Sequence, residues 1–230
     1  NVMARFKRNE VIQMMTNSGF TPVFYHSDIH IAKEVLKACY QGGARVFEFT
    51  NRDAWAHEVF AELKQYAVAN FPDLALGIGS VVDAATAALY IQIDADFIVS
   101  PIVNEAMAKM CHRRGVLWIP GCGTLTEMLN GVELGADIVK AFPAGQLGGP
   151  AFIKAVKGPC PWLNIMPTGG VSTETDNIRS WFEAGVTCVG IGSKLIDKTI
   201  WQTSNYEALQ NKVVQIAATI AQVKQEMTKG

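Results

Sequence analysis

GARVFEFTNRDAWAHEVFAELKQYAVANFPDLALGIGSVVDAATAALY, residues 43–90, contains the unit from which the chain is built. A run rich in β-branched and aromatic residues, 44–50, gives way to a helical period with Ala56, Val59, Phe60 and Leu63 on one face. A second such run, 75–81, follows, with Asp83 placed to cap an alanine-rich helix behind it. Strand, helix, strand and helix joined by short connections describe a parallel sheet covered by helices.

The same pattern extends in both directions. Towards the N-terminus, 21–27 reads as a strand and Asp28 as the cap of a helix with Ala32, Val35, Leu36 and Cys39 on its apolar face. Ahead of it, 5–17 is amphipathic. Towards the C-terminus, strands are expected at 97–101, 117–121, 137–142, 164–168 and 188–192. Between them lie helices at about 104–114 and 150–157, one opened by the capping box Thr124-x-x-Glu127, and one marked by Ile178, Trp181 and Phe182. A last helix is expected from the capping box Ser204-x-x-Glu207, with Tyr206, Leu209, Val213, Ile216, Ile220 and Val223 on its face.

Eight strands alternating with eight helices predict an α/β fold, a (β/α)8 TIM barrel forming one domain over residues 1–230, with an extra N-terminal helix across the barrel bottom. No G-x-G-x-x-G follows the first strand, which speaks against an open dinucleotide-binding sheet.

Composition narrows the function classes. With 49% hydrophobic and 18% charged residues and a net charge of -1, the chain lacks the one-sign runs that nucleic acid or anionic membrane binding uses. Five scattered cysteines without a C-x-x-C pair read as reduced, buried thiols of a cytoplasmic protein. No long uncharged apolar stretch suggests a membrane span or a signal peptide. Asn1 and Val2 precede Met3-Ala4 and read as additions ahead of a start.

In such a barrel, reactive residues gather at the C-terminal ends of the strands. Of the thirteen lysines, Lys140 interrupts an apolar strand, Ile138-Val139-Lys140-Ala141-Phe142. A lysine is costly to bury without a purpose. Partly desolvated beside another cation, it becomes a nucleophile towards carbonyls; the plain alternative is a lysine paired with a barrel carboxylate. Glu48 interrupts Val46-Phe47-Glu48-Phe49-Thr50 in the same way, and alternation puts Arg52 on its side. That suits general acid–base work or, alternatively, a structural salt bridge to Lys140 or Arg52. Thr168-Gly169-Gly170 and Gly192-Ser193 end strands seven and eight, where free backbone N–H groups form the usual phosphate site of these barrels. His26-x-x-x-His30 straddles a strand end without a carboxylate motif and reads poorly as a metal site; Cys122 reads as a small residue in a tight turn.

These segments resemble the family of 2-keto-3-deoxy-6-phosphogluconate (KDPG) and 4-hydroxy-2-oxoglutarate (KHG) aldolases. The likeness is carried by GARVFEFTNR (43–52), GIGSV (77–81), FIVSP (97–101), PGCGTLTE (120–127), GADIVKAFPA (135–144), PTGGVS (167–172) and VGIGS (189–193). It implies a class I aldolase with Lys140 as the Schiff-base lysine and Glu48 as the acid–base residue. It further implies that Arg52 and Ser80 hold the pyruvate carboxylate, and that Pro101 and Phe142 line the pyruvyl pocket. Thr168, Gly169, Gly170, Gly192 and Ser193 would receive the aldehyde end, a phosphate in phosphorylated substrates. The cofactor requirement would be none, since the lysine imine replaces a metal; the partner would be a small keto acid, and the assembly a homotrimer. Asn51, Ile102 and Ala141 depart from the residues usual in the family without removing a reactive group. Two rivals share these features: a phosphate-binding barrel isomerase or epimerase using Glu48 for enolisation, and a non-catalytic metabolite-binding barrel.

Overall fold

The structure, a computed structural model, describes residues 5–228; Asn1-Val2-Met3-Ala4 and the last two positions of the expected single domain lie outside the described residues. The first half of the chain contains α1 (Arg8–Ser18), β1 (Phe20–Phe24), α2 (Ile29–Gln41), β2 (Val46–Thr50), α3 (Ala56–Asn70), β3 (Ala75–Gly79), α4 (Ala84–Gln92) and β4 (Phe97–Val99). Then come α5 (Glu105–Arg113), β5 (Leu117–Ile119), β6 (Gly121–Cys122), α6 (Leu125–Glu133), β7 (Val139–Ala141) and α7 (Pro150–Lys157). The chain closes with β8 (Ile165–Pro167), α8 (Thr175–Glu183), β9 (Val189–Ile191), α9 (Lys198–Gln202) and α10 (Tyr206–Met227).

Every ladder is parallel. The strands form a six-stranded sheet in the order β5-β4-β3-β2-β1-β9 and a three-stranded sheet β6-β7-β8. The single strand expected at 117–121 is therefore two. Pro120 separates them because it has no N–H to donate, although its carbonyl still accepts from the Lys140 amide at 2.8 Å. At the far side, a bridge between Thr168 and Gly190 and a bond from Thr187 N–H to the Ile165 carbonyl at 3.0 Å join β8 to β9.

Strand alternation sorts side chains into two layers. Phe47, Phe49, Leu76, Ile78, Ile98, Trp118, Val139 and Ile165 face the helices. Val46, Ala75, Phe97, Val99, Leu117, Ile119, Ile138, Met166 and Cys188 meet inside the curl, and Val11 and Met15 of α1 complete that inner cluster. Most of the amphipathic stretch at 5–17 thus falls in α1, which supplies apolar side chains to the sheet interior.

Local signals explain the helix starts. Asp28, Asp83 and Asn104 accept from backbone N–H groups of the first turn, and Thr124 and Glu127 form the reciprocal capping box. The last helix differs from its expected start. Ser204 takes a φ of 53°, and Asn205 caps instead, its side chain accepting from Ala208 N–H at 3.2 Å. The short α9 just before it has too few residues to show a helical period, and the sequence reading passed over it.

All five cysteines are free and buried. Among the described residues, no helix is long and apolar enough to cross a membrane.

Met15 is fully buried in the inner cluster. Met15→Ala should lower unfolding free energy by about 2–5 kcal/mol, the usual cost of a large-to-small core change. Urea denaturation measures it, and a change near zero would mean that α1 is not part of the core.

Candidate active site

Because all strands are parallel, their C-terminal ends open on one face, and the candidate residues collect there. Lys140 lies in the middle of β7, in the inner layer above Ile138, and is only 6% exposed. Its ammonium stands over the Phe142 ring, 4.8 Å from the centroid. Glu48, in the inner layer of β2, is 1% exposed, and neither carboxyl oxygen has a hydrogen-bond partner among the described residues.

Burial pushes the Glu48 carboxyl above the usual carboxylate range, opposed by the positive charges of Lys140 and Arg52. The three groups named from the sequence therefore share one electrostatic neighbourhood. Neither oxygen being bonded, the arrangement is not the structural salt bridge that was the alternative for Glu48.

Glycines make the room. A Cβ on Gly79, the inner-facing end of β3, would fall inside contact distance of the Glu48 carboxylate. Gly121 pairs in register with Lys140, and a Cβ there would collide with the backbone of Pro101. The glycine that ends β3, noticed in the sequence only within a segment of family resemblance, has a local reason: the missing side chain of Gly79 is the space in which Glu48 sits.

The other candidates border the same opening. Arg52 is exposed just beyond β2, and Ser80 is half-buried beyond β3 with a φ of 59°. Such a φ is uncommon outside glycine and signals a backbone held by its surroundings. Pro101 is half-buried after β4, and Phe142, 36% exposed, follows Lys140 directly on the rim.

The loop after β7 is strapped to the loop after β8: Ala144 and Gly145 N–H donate to the carbonyls of Thr168 and Gly169, both at 2.9 Å. Gly169 and Gly170 have φ values of 88° and 80°, a conformation glycine adopts without strain. The Gly169 amide is turned towards the Gly190 carbonyl by the bridge between Thr168 and Gly190, whereas the amides of Gly170 and Ser193 have no backbone acceptor among the described residues. Gly192 opens a turn by accepting from Leu195 and Ile196 N–H, at 2.9 and 3.0 Å. The Thr168 hydroxyl is different: it is turned inward over Gly190 and lacks a partner.

The weaker candidates resolve as structural. His26 accepts from the Asp28 N–H at its Nδ1 and packs its ring on Phe24 and Trp201. The Cys122 thiol is pushed up to about 12 by burial and the Glu127 charge, which leaves it protonated and poorly nucleophilic.

One buried lysine escaped the sequence reading. Lys64 of α3 is 3% exposed but bonds to Asp96 at 2.5 Å, with Asp94 at 3.7 Å. It looks like an ordinary member of a helical face, and only the partner thirty-two residues away makes its burial tolerable. Lys140, by contrast, has no bonded carboxylate among the described residues.

Comparison with known proteins now decides the family. The family model described as KDPG and KHG aldolase matches residues 11–212. This chain belongs to that family. A 2-dehydro-3-deoxy-phosphogluconate aldolase of Dickeya dadantii is 30% identical over 198 residues, 86% of this chain and 90% of the relative. A KHG/KDPG aldolase of Escherichia coli is 28% identical over 197 residues, 85% of this chain and 89% of the relative. Among solved structures, a KDPG aldolase from Legionella pneumophila, with pyruvate captured at low pH as a covalent carbinolamine, superposes with a TM-score of 0.80 at 24% identity, covering 89% of this chain and 97% of that one.

The raised proton affinity of Glu48 has a measurable consequence in this family member. The folded carboxyl binds its proton more tightly than the unfolded one, so stability is greatest below the ordinary value and is lost as pH rises to the raised one. Thermal melts of wild type and Glu48→Gln from about pH 4 to about pH 8 should show the variant gaining on the wild type as pH increases. A constant difference would mean that the carboxyl titrates normally.

Proposed function

We propose that this chain is a class I aldolase that cleaves KDPG, KHG or both, giving pyruvate and glyceraldehyde 3-phosphate or glyoxylate. The observation that supports this best is the buried amine of Lys140 sharing one electrostatic neighbourhood with an unbonded, buried carboxyl, Glu48, in a member of the KDPG and KHG aldolase family.

Lys140 attacks the C2 carbonyl of the keto acid in its neutral form. The proton it sheds has an acceptor in Glu48, whose burial makes it bind protons more tightly than an exposed carboxylate. Glu48 returns that proton to the carbinolamine hydroxyl, which leaves as water; a protonated imine and a free carboxylate remain. Glu48, directly or through a water, then removes the proton from the C4 hydroxyl. The C3–C4 electron pair moves to the imine nitrogen, the aldehyde leaves, and an enamine of pyruvate remains. Protonation at C3 and addition of water release pyruvate and restore the amine. The imine is the electron sink, so the chemistry calls for no metal or organic cofactor.

Arg52 and Ser80 hold the carboxylate end through charge-assisted and neutral hydrogen bonds, which orients the C3–C4 bond for cleavage. Pro101 and Phe142 border the pyruvyl pocket. Gly169 and the amides of Gly170 and Ser193, with the Gly192 turn and Thr168, receive the aldehyde end. Two consecutive left-handed glycines, with the Gly170 and Ser193 N–H groups unengaged by backbone among the described residues, suit an anion there, which favours a phosphorylated substrate.

The same reading takes the two sheets as one (β/α)8 barrel in a single domain, closed through Pro120 and the Thr168–Gly190 bridge, with α1 across its bottom. It includes assembly as a homotrimer, for which the exposed Trp55, Val82 and Ile102 around the mouth offer apolar surface, and a cytoplasmic location, which suits five free thiols.

Incubation with pyruvate and sodium borohydride should add one pyruvyl group to the intact wild type and none to Lys140→Ala, read by mass spectrometry. Glu48→Gln should lower kcat by about 10²–10⁴-fold, the range for loss of a general acid–base group. An active, folded wild type that takes up no pyruvyl group would sink the aldolase reading in favour of an isomerase.

A further inference from the structure

Arg52 carries the substrate's carboxylate in the reaction proposed above, yet it stands on an exposed loop beyond β2. Its side chain has no hydrogen-bond or ion-pair partner among the described residues. A free arginine side chain has about 2 kcal/mol of rotamer entropy to lose on binding. The backbone that bears it therefore decides how well it is aimed.

The residues on either side of Arg52 are both held, and both by a tyrosine. Asn51 continues the β2 ladder through its N–H to the Gly79 carbonyl at 2.9 Å, and its side-chain oxygen accepts from the Tyr90 hydroxyl at 2.7 Å. Tyr90 lies on α4, fully buried, its ring edge-on to Phe60 at 5.3 Å. Burial and the Asp53 charge keep its phenol protonated and so a donor. On the other side, one Asp53 carboxyl oxygen accepts from the Tyr25 hydroxyl, and the other accepts from Trp55 N–H at 3.0 Å. The Tyr25 ring rests on Phe49, 5.3 Å between centroids.

Alternation places residue 51 on the helix-facing side of the strand, as is Phe49, and turns Arg52 to the side of Glu48 and Thr50. The charge of Arg52 is felt at Glu48, which agrees with that direction.

We propose that Tyr90 and Tyr25 are positioning residues for Arg52: gripping residues 51 and 53 from two sides, they fix the direction in which Arg52 enters the mouth and so set the affinity for the carboxylate end of a 2-keto acid. The inference rests on the aldolase reading. Its test is built so that the two can fail separately.

Borohydride trapping of pyruvate on the full chain is followed against pyruvate concentration for wild type, Tyr90→Phe, Tyr25→Phe, Arg52→Ala and the two doubles with Arg52→Ala. Each tyrosine variant should raise half-saturating pyruvate about threefold to tenfold, the equivalent of one lost hydrogen bond. The trapped fraction at saturation should stay that of the wild type. In the Arg52→Ala background neither tyrosine change should raise half-saturation further, because coupled residues are not additive. A wild type that traps pyruvate while the tyrosine variants match it overturns the proposal. So does a rise that is the same with and without Arg52. A wild type that traps nothing overturns the aldolase reading and this one with it. Tyr25 is only half-buried, so Tyr25→Phe keeps the test decisive should Tyr90→Phe fail to fold.

Discussion

A carboxyl group with no hydrogen-bond partner in an apolar interior is the constraint around which the rest is arranged. Glu48 on β2 can occupy the curl only because β3 offers no side chain opposite it at Gly79. The layer below must then be filled from elsewhere: the Phe97 ring lies where a side chain on Gly77 would go, and α1 adds Val11 and Met15 beneath. The interior is thus graded along the strand direction, with methyl groups and rings at one end and ionisable groups at the other. The same group that costs stability is the one that the proposed reaction uses as its proton acceptor.

Lys64 shows what a purely structural solution looks like. Its amine is as buried as that of Lys140, but Asp96 meets it at 2.5 Å and also accepts from the Leu76 N–H at 2.8 Å. The pair ties α3 to the base of β4 behind the sheet, away from the open ends of the strands. Inside the sheet the corresponding pair is left unbonded. Satisfied behind and unsatisfied within is how the two buried pairs differ in this molecule.

The alternation of strands and helices was legible in the sequence because each strand's helix-facing side is continuously apolar and most helices open with a side-chain cap. Lys140 and Glu48 stood out for a related reason: each breaks an apolar run, and a period-two strand allows no doubt about which face it is on. Strand ends were less legible. Residues 25–27, 80 and 81 look β-like but belong to loops, since pairing with the neighbouring strand, not composition, sets where a strand stops. The division of strand five turned on the one N–H that Pro120 lacks. The cap at Asn205 was missed for Ser204, whose spacing to Glu207 fits a capping box but whose backbone is left-handed. Lys64, the inward turn of the Thr168 hydroxyl and the tyrosines flanking Arg52 were invisible for a common reason, that their partners are distant in sequence and no local period reports them.

The division at Pro120 has a consequence beyond geometry. Glu48 belongs to the six-stranded sheet and Lys140 to the three-stranded one, which meet at Pro120 on one side and, on the other, at the Thr168–Gly190 bridge and the Thr187–Ile165 bond. During synthesis, β2 leaves the ribosome long before β7, so the carboxyl group waits for the amine and never the reverse. Until the two sheets meet, the lysine and the carboxyl lie on separate pieces of structure. Assembly of the two sheets is therefore also the step that brings amine and carboxyl into one neighbourhood, and a chain that stalls halfway holds the carboxyl alone.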